Sequence, residues 1–425
     1  MSGTGNGYRT LKSIFHERGE AAAQAELQAR RNGYSTYLID TFKVGNHPLF
    51  YLVDRAALAS FERIMKRERR IGQLSARLPR AAMTNYLLDL TVRSIVATDR
   101  IEGVHTTRQI ISDALATGDS EDPRAKRAVE FTSLLTTLGD RQPPTTVEEV
   151  RKLYDTLLEG YLDDKDHLDG ELFRTGPVRI TNGTKDVHIP PVGEENITAN
   201  IEVALAHALD PQASALFAAI IAHFMVEYTH PFYDGNGRFG RYLLADHMAQ
   251  VLSHLTALTL PSTLNLHKKQ YYKAFSVVEE PYNYGEATSF LHTFLQMTEK
   301  AQEYLEEELE TRYKALKSLK KRVHELEQDR EWLQGEDPKT QKLTDILKLL
   351  HLLGQACIFR APVAPTSSDL QDALGVTAPT RRDRLELLQG LGLVEGVKAG
   401  RTMRWSLTEA GTSLLGLPAV EDDEE

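Results

Sequence analysis

The fold class this sequence predicts is mainly α, with a C-terminal winged helix-turn-helix domain, and three stretches predict it. Residues 213–228 (ASALFAAIIAHFMVEY) are apolar nearly all round, the pattern of a helix buried inside a bundle. Residues 285–335 carry Leu309, Leu316, Leu319, Val323, Leu326 and Leu333 on a three-and-four spacing, interrupted by Arg312 and Arg330. Residues 340–417 read as helix, helix-turn-helix and β-hairpin in that order, which makes a winged helix.

Length and composition bound the rest. A chain of 425 residues exceeds one ordinary domain, and 41% hydrophobic with 26% charged residues is globular. No apolar run reaches bilayer length, so no membrane partner is expected. The opening MSGTGNGYRTLKSIF lacks the apolar core of a secretory signal. Cys357 is the lone cysteine, which excludes a disulfide framework and a thiolate metal cluster; the predicted compartment is a reducing cytoplasm. A net charge of -10 gives no global attraction to nucleic acid, so any such contact has to be local.

Along the chain, residues 1–7 read as a disordered leader. Residues 34–38 and 49–53 predict short strands, broken by Gly45, Asn46, His47 and Pro48. A basic helix is predicted over 61–74, and the chain from there to about residue 295 reads as mainly helical, including a helix containing 87–97. A further helix over 237–252 has Phe239, Leu243, Leu244, Met248 and Val251 as candidate core positions. The 285–335 block reads as a two-helix hairpin arm or connector in preference to an intermolecular coiled coil, and 335–339 as a linker. Beyond it come a helix at 343–353, then Pro362-Val363-Ala364-Pro365, then a short helix capped by Ser367 or Ser368. A third helix enters at Pro379, and 394–407 reads as two strands around Gly400. The acidic tail, 418–425, is expected to be disordered.

Between the buried helix and the next lies HPFYDGNGRFGR, residues 230–241. A helix N-terminus offers partial positive charge and unpaired N–H groups, so a glycine-rich entry to one is a cradle for an anion. Gly235 and Gly237 let backbone approach a phosphate, and Asn236 either holds the loop or contacts the anion. Arg238 and Arg241, three apart, share a helix face. Asp234 supplies the hard oxygen that Mg²⁺ takes when phosphates complete its shell. His230 is the group here suited to general-base work near neutral pH, and Phe232 reads as an anchor beneath the loop. The lysine and Ser/Thr of a Walker loop are missing.

The stretch resembles the Fic family signature H-x-F-x-D/E-G-N-G-R-x-x-R, with every specified position filled. The resemblance, strongest from about 85 to 295, implies a Fic-type helical bundle and transfer of AMP from ATP to Ser, Thr or Tyr hydroxyls of target proteins. It implies His230 as base, Asp234 as Mg²⁺ ligand, Gly235, Asn236 and Gly237 as an anion hole, and Arg238 and Arg241 on the ATP phosphates. The kinase-like Doc branch has alanine and lysine in the loop, so the glycines favour transfer of AMP.

Two other stretches resemble parts of that family. Residues 173–178 (FRTGPV) followed by 184–191 (TKDVHIPP) resemble its flap hairpin. The flap would dock target backbone as an added strand through Thr184, Lys185, Asp186, Val187, His188 and Ile189. Residues 98–103 (TDRIEG) resemble the inhibitory motif S/T-x-x-x-E-G/N, with Thr98, Glu102 and Gly103 at its fixed positions. A carboxylate there would pair with Arg241 and take the space and charge that the ATP γ-phosphate needs.

The expected organisation is an N-terminal α+β region (1–84), the core with its inhibitory helix (85–295), a helical connector (296–339), the winged helix (340–417) and the tail. Arg381, Arg382, Arg384, Lys398, Arg401 and Arg404 suit phosphate contacts to DNA. Asp369, Asp372, Asp383 and Glu386 sit among them, so DNA binding and protein docking stand level. The leading reading is a self-inhibited protein adenylyltransferase using ATP and Mg²⁺. The alternatives are a DNA-binding regulator or toxin-like module that uses the site as a nucleotide sensor, and removal of AMP by the same site. A homodimer is compatible with the sequence.

Overall fold

The computed structural model describes residues 8–117, 123–158, 167–181 and 186–418. The expected leader (1–7) and the tail from 419 onward lie outside the described residues. The chain divides into two compact units, each assembled from separate stretches. The first comprises Met1–Arg70, Ser94–Thr106 and Ser133–Leu305; the second comprises Ile71–Arg93, Thr107–Thr132 and Glu306–Glu425.

The first unit opens with α1 (Leu11–Arg18) and α2 (Glu20–Arg31), then the hairpin of β1 (Thr36–Val44) and β2 (His47–Leu52). The strands pair antiparallel, Thr36 opposite Leu52 and Val44 opposite His47, with a bulge between Ile39 and Lys43. Next come α3 (Arg55–Ser75) and α4 (Arg80–Ile101), each divided between the two units, and α5 (Arg108–Thr117), in the second. After α6 (Pro123–Thr136) the first unit resumes with α7 (Val147–Leu158) and the short hairpin of β3 (Ile180–Thr181) and β4 (Asp186–His188). Then follow α8 (Glu194–Ala208), α9 (Ala215–Thr229), α10 (Asn236–Ala249), α11 (His254–Leu266) and α12 (Lys268–Glu279).

The apolar run of α9 is buried on every face, as its sequence predicts. It lies against α8 and α10, and Phe224 packs edge-on to Phe290 and stacks with Phe275. Even its histidine is inside: His223 contacts the Gly240 carbonyl at 3.1 Å and the Tyr271 hydroxyl at 3.2 Å. These two bonds tie α9 to α10 and α12 behind the joint where the motif lies.

The 285–335 block is not a two-helix hairpin: it contains one continuous helix, α13 (Thr288–Gln328), with no glycine or proline to break it, whose first part lies in the first unit and whose remainder lies in the second. In the second unit its leucines face inward: Leu316, Leu319 and Leu326 share a core with Leu343, Ile346 and Leu350 of α14 (Thr340–Ile358). Asp89, fully buried, accepts from Arg93 (2.9 Å), Arg108 (2.6 Å) and Arg312 (3.2 Å), a charge cluster paired well enough to be tolerated inside.

The order α15 (Ser367–Leu374), α16 (Ala378–Gly390), β5 (Val394–Ala399), β6 (Thr402–Leu407) and α17 (Glu409–Leu414) completes the unit. The cap of α15 is Thr366, not Ser367 or Ser368. Its hydroxyl accepts from the Asp369 amide, and the Asp369 carboxylate accepts from the Thr366 amide. This reciprocal box satisfies two amides at once, which a serine one residue later, with Leu370 three positions on, does not offer.

Candidate active site

The segment between α9 and α10 is held by local chemistry at each residue. At the end of α9 the Thr229 hydroxyl donates to the Met225 carbonyl (2.7 Å). His230 caps the helix in the left-handed region, φ 50° and ψ 63°, with its amide on the Val226 carbonyl at 3.0 Å. For a residue other than glycine this conformation costs on the order of 1 kcal/mol, and such strain persists where surroundings enforce it. Arg174 enforces it. Its guanidinium is fully buried and donates to the carbonyls of His230 (2.8 Å), Thr229 (3.3 Å), Pro191 (2.9 Å) and Gly176 (2.6 Å), while its own amide reaches Pro231 at 3.1 Å. Reading the sequence alone passes Arg174 over, because a lone arginine after Phe173 gives no sign of four carbonyls that converge only in the fold.

Below the loop, Phe232 is fully buried, stacked on Tyr154 with ring centroids 3.5 Å apart and edge-on to Phe239 at 5.3 Å. Asn236 folds the loop onto itself: its Oδ1 accepts from the Phe232 amide (2.9 Å) and its Nδ2 donates to the Phe232 carbonyl (2.8 Å). Of the two roles open to Asn236, the side chain is committed to loop shape. Gly235 is the N-cap of α10 at φ 75°, and no side chain caps that N-terminus. Asp234 is half-exposed at the rim, where its Oδ2 accepts from Arg238 at 3.0 Å and its carbonyl accepts from Tyr154 at 3.0 Å. Burial pulls the His230 imidazole down to about 3, helped by the neighbouring charges of His188 and Arg174. The ring is therefore neutral at physiological pH.

Arg241 is turned toward α4. Its Nε donates to the Thr98 hydroxyl (2.6 Å), and its Nη2 donates to the Thr98 carbonyl (3.1 Å) and to Glu102 Oε1 (2.7 Å). Burial opposes the charge of this guanidinium, but Glu102, Tyr271 and Glu227 outweigh it and its pKa is raised. Arg238 and Arg241 thus face different partners in this state, Asp234 and the end of α4.

Glu102 is delivered by the way α4 stops. The Gly103 amide bonds the Arg100 carbonyl (3.2 Å) and the Val104 amide bonds the Asp99 carbonyl (2.9 Å). With Gly103 at φ 75°, this is the Schellman termination, in which the position after the cap takes the left-handed conformation that glycine adopts without strain. Glu102 is the cap residue itself, and the carboxylate lies against the first turn of α10. A Cβ on Gly237 would stand 2.2 Å from Glu102 Oε1 and 2.9 Å from Arg241 Nη1.

A second carboxyl behind Arg241, Glu227, escaped the sequence reading; it looked like the ordinary end of an apolar helix. It is pushed up to about 8 by burial, with Arg241 opposing and Glu102 reinforcing the shift, so it is protonated at neutral pH.

Of the residues expected in the flap, Thr184 and Lys185 lie outside the described residues. Asp186 and Val187 belong to β4, where Ile180 pairs with His188 and Thr181 with Asp186. His188 points inward, between Glu279 Oε2 (2.7 Å) and the Tyr228 carbonyl (2.7 Å), whereas Ile189 is 62% exposed. In the second unit, three of the six basic residues have intramolecular partners. Arg381 donates to the Ser367 carbonyl and to Gln371, Arg384 pairs with Asp345 and Asp383, and Arg404 donates to the carbonyls of Ala364 and Ala116. Arg382, Lys398 and Arg401 are exposed.

The buried titrating groups of the first unit set an acid response. Burial lowers His207, His223, His230 and His247 from 6.5 to about 4, 3, 3 and 4. Burial raises Glu227 to about 8 and Asp246 to about 6. A histidine with a depressed folded pKa costs nothing above 6.5 and removes stability as pH falls below it. A carboxyl with a raised pKa acts in the opposite sense, contributing more as pH falls. His254 is also lowered and Glu286 also raised, so five histidines stand against three carboxyls and leave a net loss in acid, roughly 1.4 kcal/mol per pH unit for each uncompensated histidine. The urea midpoint is expected to drop between pH 6.5 and pH 5; a midpoint unchanged over that range would contradict the burial of these imidazoles.

Residues 144–248, from the approach to α7 through α10, match the Fic/DOC family model. The matched residues include the segment between α9 and α10 that builds this site. A Fic family protein from Desulfovibrio desulfuricans is similar in structure, at 20% identity over 84% of this chain and 98% of that one, with a TM-score of 0.52. A Fic domain containing signaling protein from Bacteroides thetaiotaomicron matches at 15% identity, 58% and 95% coverage and a TM-score of 0.46. Fic-1 from C. elegans matches at 16% identity, 71% and 81% coverage and a TM-score of 0.44. At 20% identity the likeness to the Desulfovibrio desulfuricans protein is one of fold.

Proposed function

We propose that this chain is a protein adenylyltransferase that moves AMP from ATP onto target hydroxyls and is held off by Glu102. The observation that carries the reading is the first turn of α10. A helix start with no side-chain cap has a neutral histidine on one side, a half-exposed aspartate on its rim and two nearly buried arginines behind it. Such a turn binds phosphate through backbone N–H groups and the helix dipole. Arg238 and Arg241 would hold the β- and γ-phosphates.

His230 then accepts the proton of a Ser, Thr or Tyr hydroxyl. The freed oxygen bonds to the α-phosphorus, the bond from that phosphorus to the bridging oxygen breaks, and pyrophosphate leaves. Asp234 fits a Mg²⁺ ligand because its carboxylate reaches solvent at the loop rim. Among the described residues no cluster of three metal-binding side chains exists, which suits a cation whose shell phosphates and water complete. When bound, Mg²⁺ would neutralise phosphate charge.

Glu102 occupies Arg241 in the state described, so the γ-phosphate would find its partner taken. For the second unit we favour protein docking over DNA reading, since Arg381, Arg384 and Arg404 are engaged within the unit. The test is incubation of the full chain, wild type and Glu102→Gly, with Mg²⁺ and ATP labelled at either the α- or the γ-phosphorus. Transfer of AMP puts the α label on protein and leaves the γ label in pyrophosphate. Protein carrying the γ label instead would replace this reading with phosphate transfer.

A further inference from the structure

The two carbonyls at the end of α4 are met by side chains from α12. Lys268 Nζ donates to the Ile101 carbonyl at 2.6 Å and to the Arg100 carbonyl at 3.3 Å. The Tyr272 hydroxyl donates to the same Ile101 carbonyl at 3.3 Å. Lys268 and Tyr272 are four apart on one face of α12, with the ammonium 5.8 Å from the ring centroid.

The last carbonyls of a helix have no partner within it and carry partial negative charge, so an ammonium and a phenol answer both needs. The placement runs against the local interest of α12. Lys268 and Lys269 are its first residues and no acidic side chain occupies that turn, although a helix start disfavours cations. A lysine there is favourable through the neighbouring helix end it serves.

We propose that Lys268 and Tyr272 are positioning residues that clamp the C-terminus of α4 and thereby hold Glu102 against Arg241. The proposal rests on the inhibitory reading of Glu102 and extends it to a second element. One residue separates the clamped Ile101 carbonyl from the Gly103 turn, so the clamp fixes the backbone on which the carboxylate rides. Burial, followed by the charge of Glu102, pushes the Tyr272 phenol up to about 12, so it keeps its proton as a donor. Lys268 is half-buried and Tyr272 is 47% exposed, so both can be replaced without opening the core.

The test uses the full chain with Lys268→Met and Tyr272→Phe combined, Lys268→Arg, and Glu102→Gly as the reference. The double variant is expected to raise α-label transfer several-fold, to a level between wild type and Glu102→Gly. Lys268→Arg, which keeps a cationic donor, is expected to stay near wild type. Within the Glu102→Gly background the double change is expected to add nothing, because both routes end at the same contact. Without ATP, hydrogen exchange at the Gly103 and Val104 amides is expected to quicken in the double variant. Unchanged exchange overturns the clamp. Unchanged transfer while Glu102→Gly is raised overturns its link to inhibition alone. Unchanged transfer in Glu102→Gly itself overturns the inhibitory reading, and the proposal with it.

Discussion

Glu102→Gly is expected to raise self-modification and transfer to target by a factor in the range of about 5 to 150. That is the range of a coupling energy between two mutually exclusive contacts. In the state described, the Arg241 fork is filled by Thr98 and Glu102. Deleting the carboxylate leaves the two contacts to Thr98 and frees one N–H of Nη2 for a phosphate oxygen. Breaking a buried ion pair by removing one partner usually costs several kcal/mol. Here the cost is moderated, since Glu102 is about one-third exposed and Glu227 is a second carboxyl near the same arginine. Removing the negative charge of Glu102 also removes one of the causes that keep Glu227 protonated, so Glu227 can take up part of the compensation. The variant is therefore expected to fold. Autoradiography with α-labelled ATP checks the claim, and equal labelling of variant and wild type refutes it.

His230→Ala, made in the Glu102→Gly background so that there is activity to lose, is expected to reduce transfer by about 10²- to 10⁴-fold. That is the usual contribution of a positioned general base. ATP binding should change little, because the phosphate contacts assigned above belong to α10. The backbone at position 230 stays left-handed whatever the side chain, since Arg174 and the Val226 carbonyl hold it. Alanine tolerates that region less well than histidine, so a stability loss on the order of 1 kcal/mol is expected beside the loss of rate. Measuring the nucleotide Kd and the thermal midpoint together separates the two effects. Labelling undiminished in this variant would remove His230 from the role of base.

Much of this site can be read from the chain because its information is local. A run of apolar residues from 215 to 226 has one solution, a helix buried all round, and the loop that follows is confined to twelve positions. The pattern Thr98, Glu102, Gly103 likewise sits within one helix end, where the glycine is explained by the left-handed turn it makes. What escaped depends on distance along the chain. Arg174 works through carbonyls that come from residues 176, 191, 229 and 230. Glu227 acquires its character because its carboxyl is shut in against Gly240, beside Arg241 and Glu102. Arg384 reads as a phosphate contact until Asp345, on another helix, claims it. Solvent exposure of a charged side chain is decided by its neighbours in space, and periodicity does not reveal which arginine has a carboxylate waiting.

Gly237 has a consequence for how the site can be filled. The 2.2 Å separation between its missing Cβ and Glu102 Oε1 means that the carboxylate stands in the space a side chain at this position would fill. Alanine at this position would act as a wedge, evicting the carboxylate while narrowing the same space for a phosphate. A chain regulated by occupancy of a single slot cannot be partly inhibited at the level of one molecule. On the proposed reading each copy is either plugged or open, and a graded response in a population would measure the fraction of copies that are open.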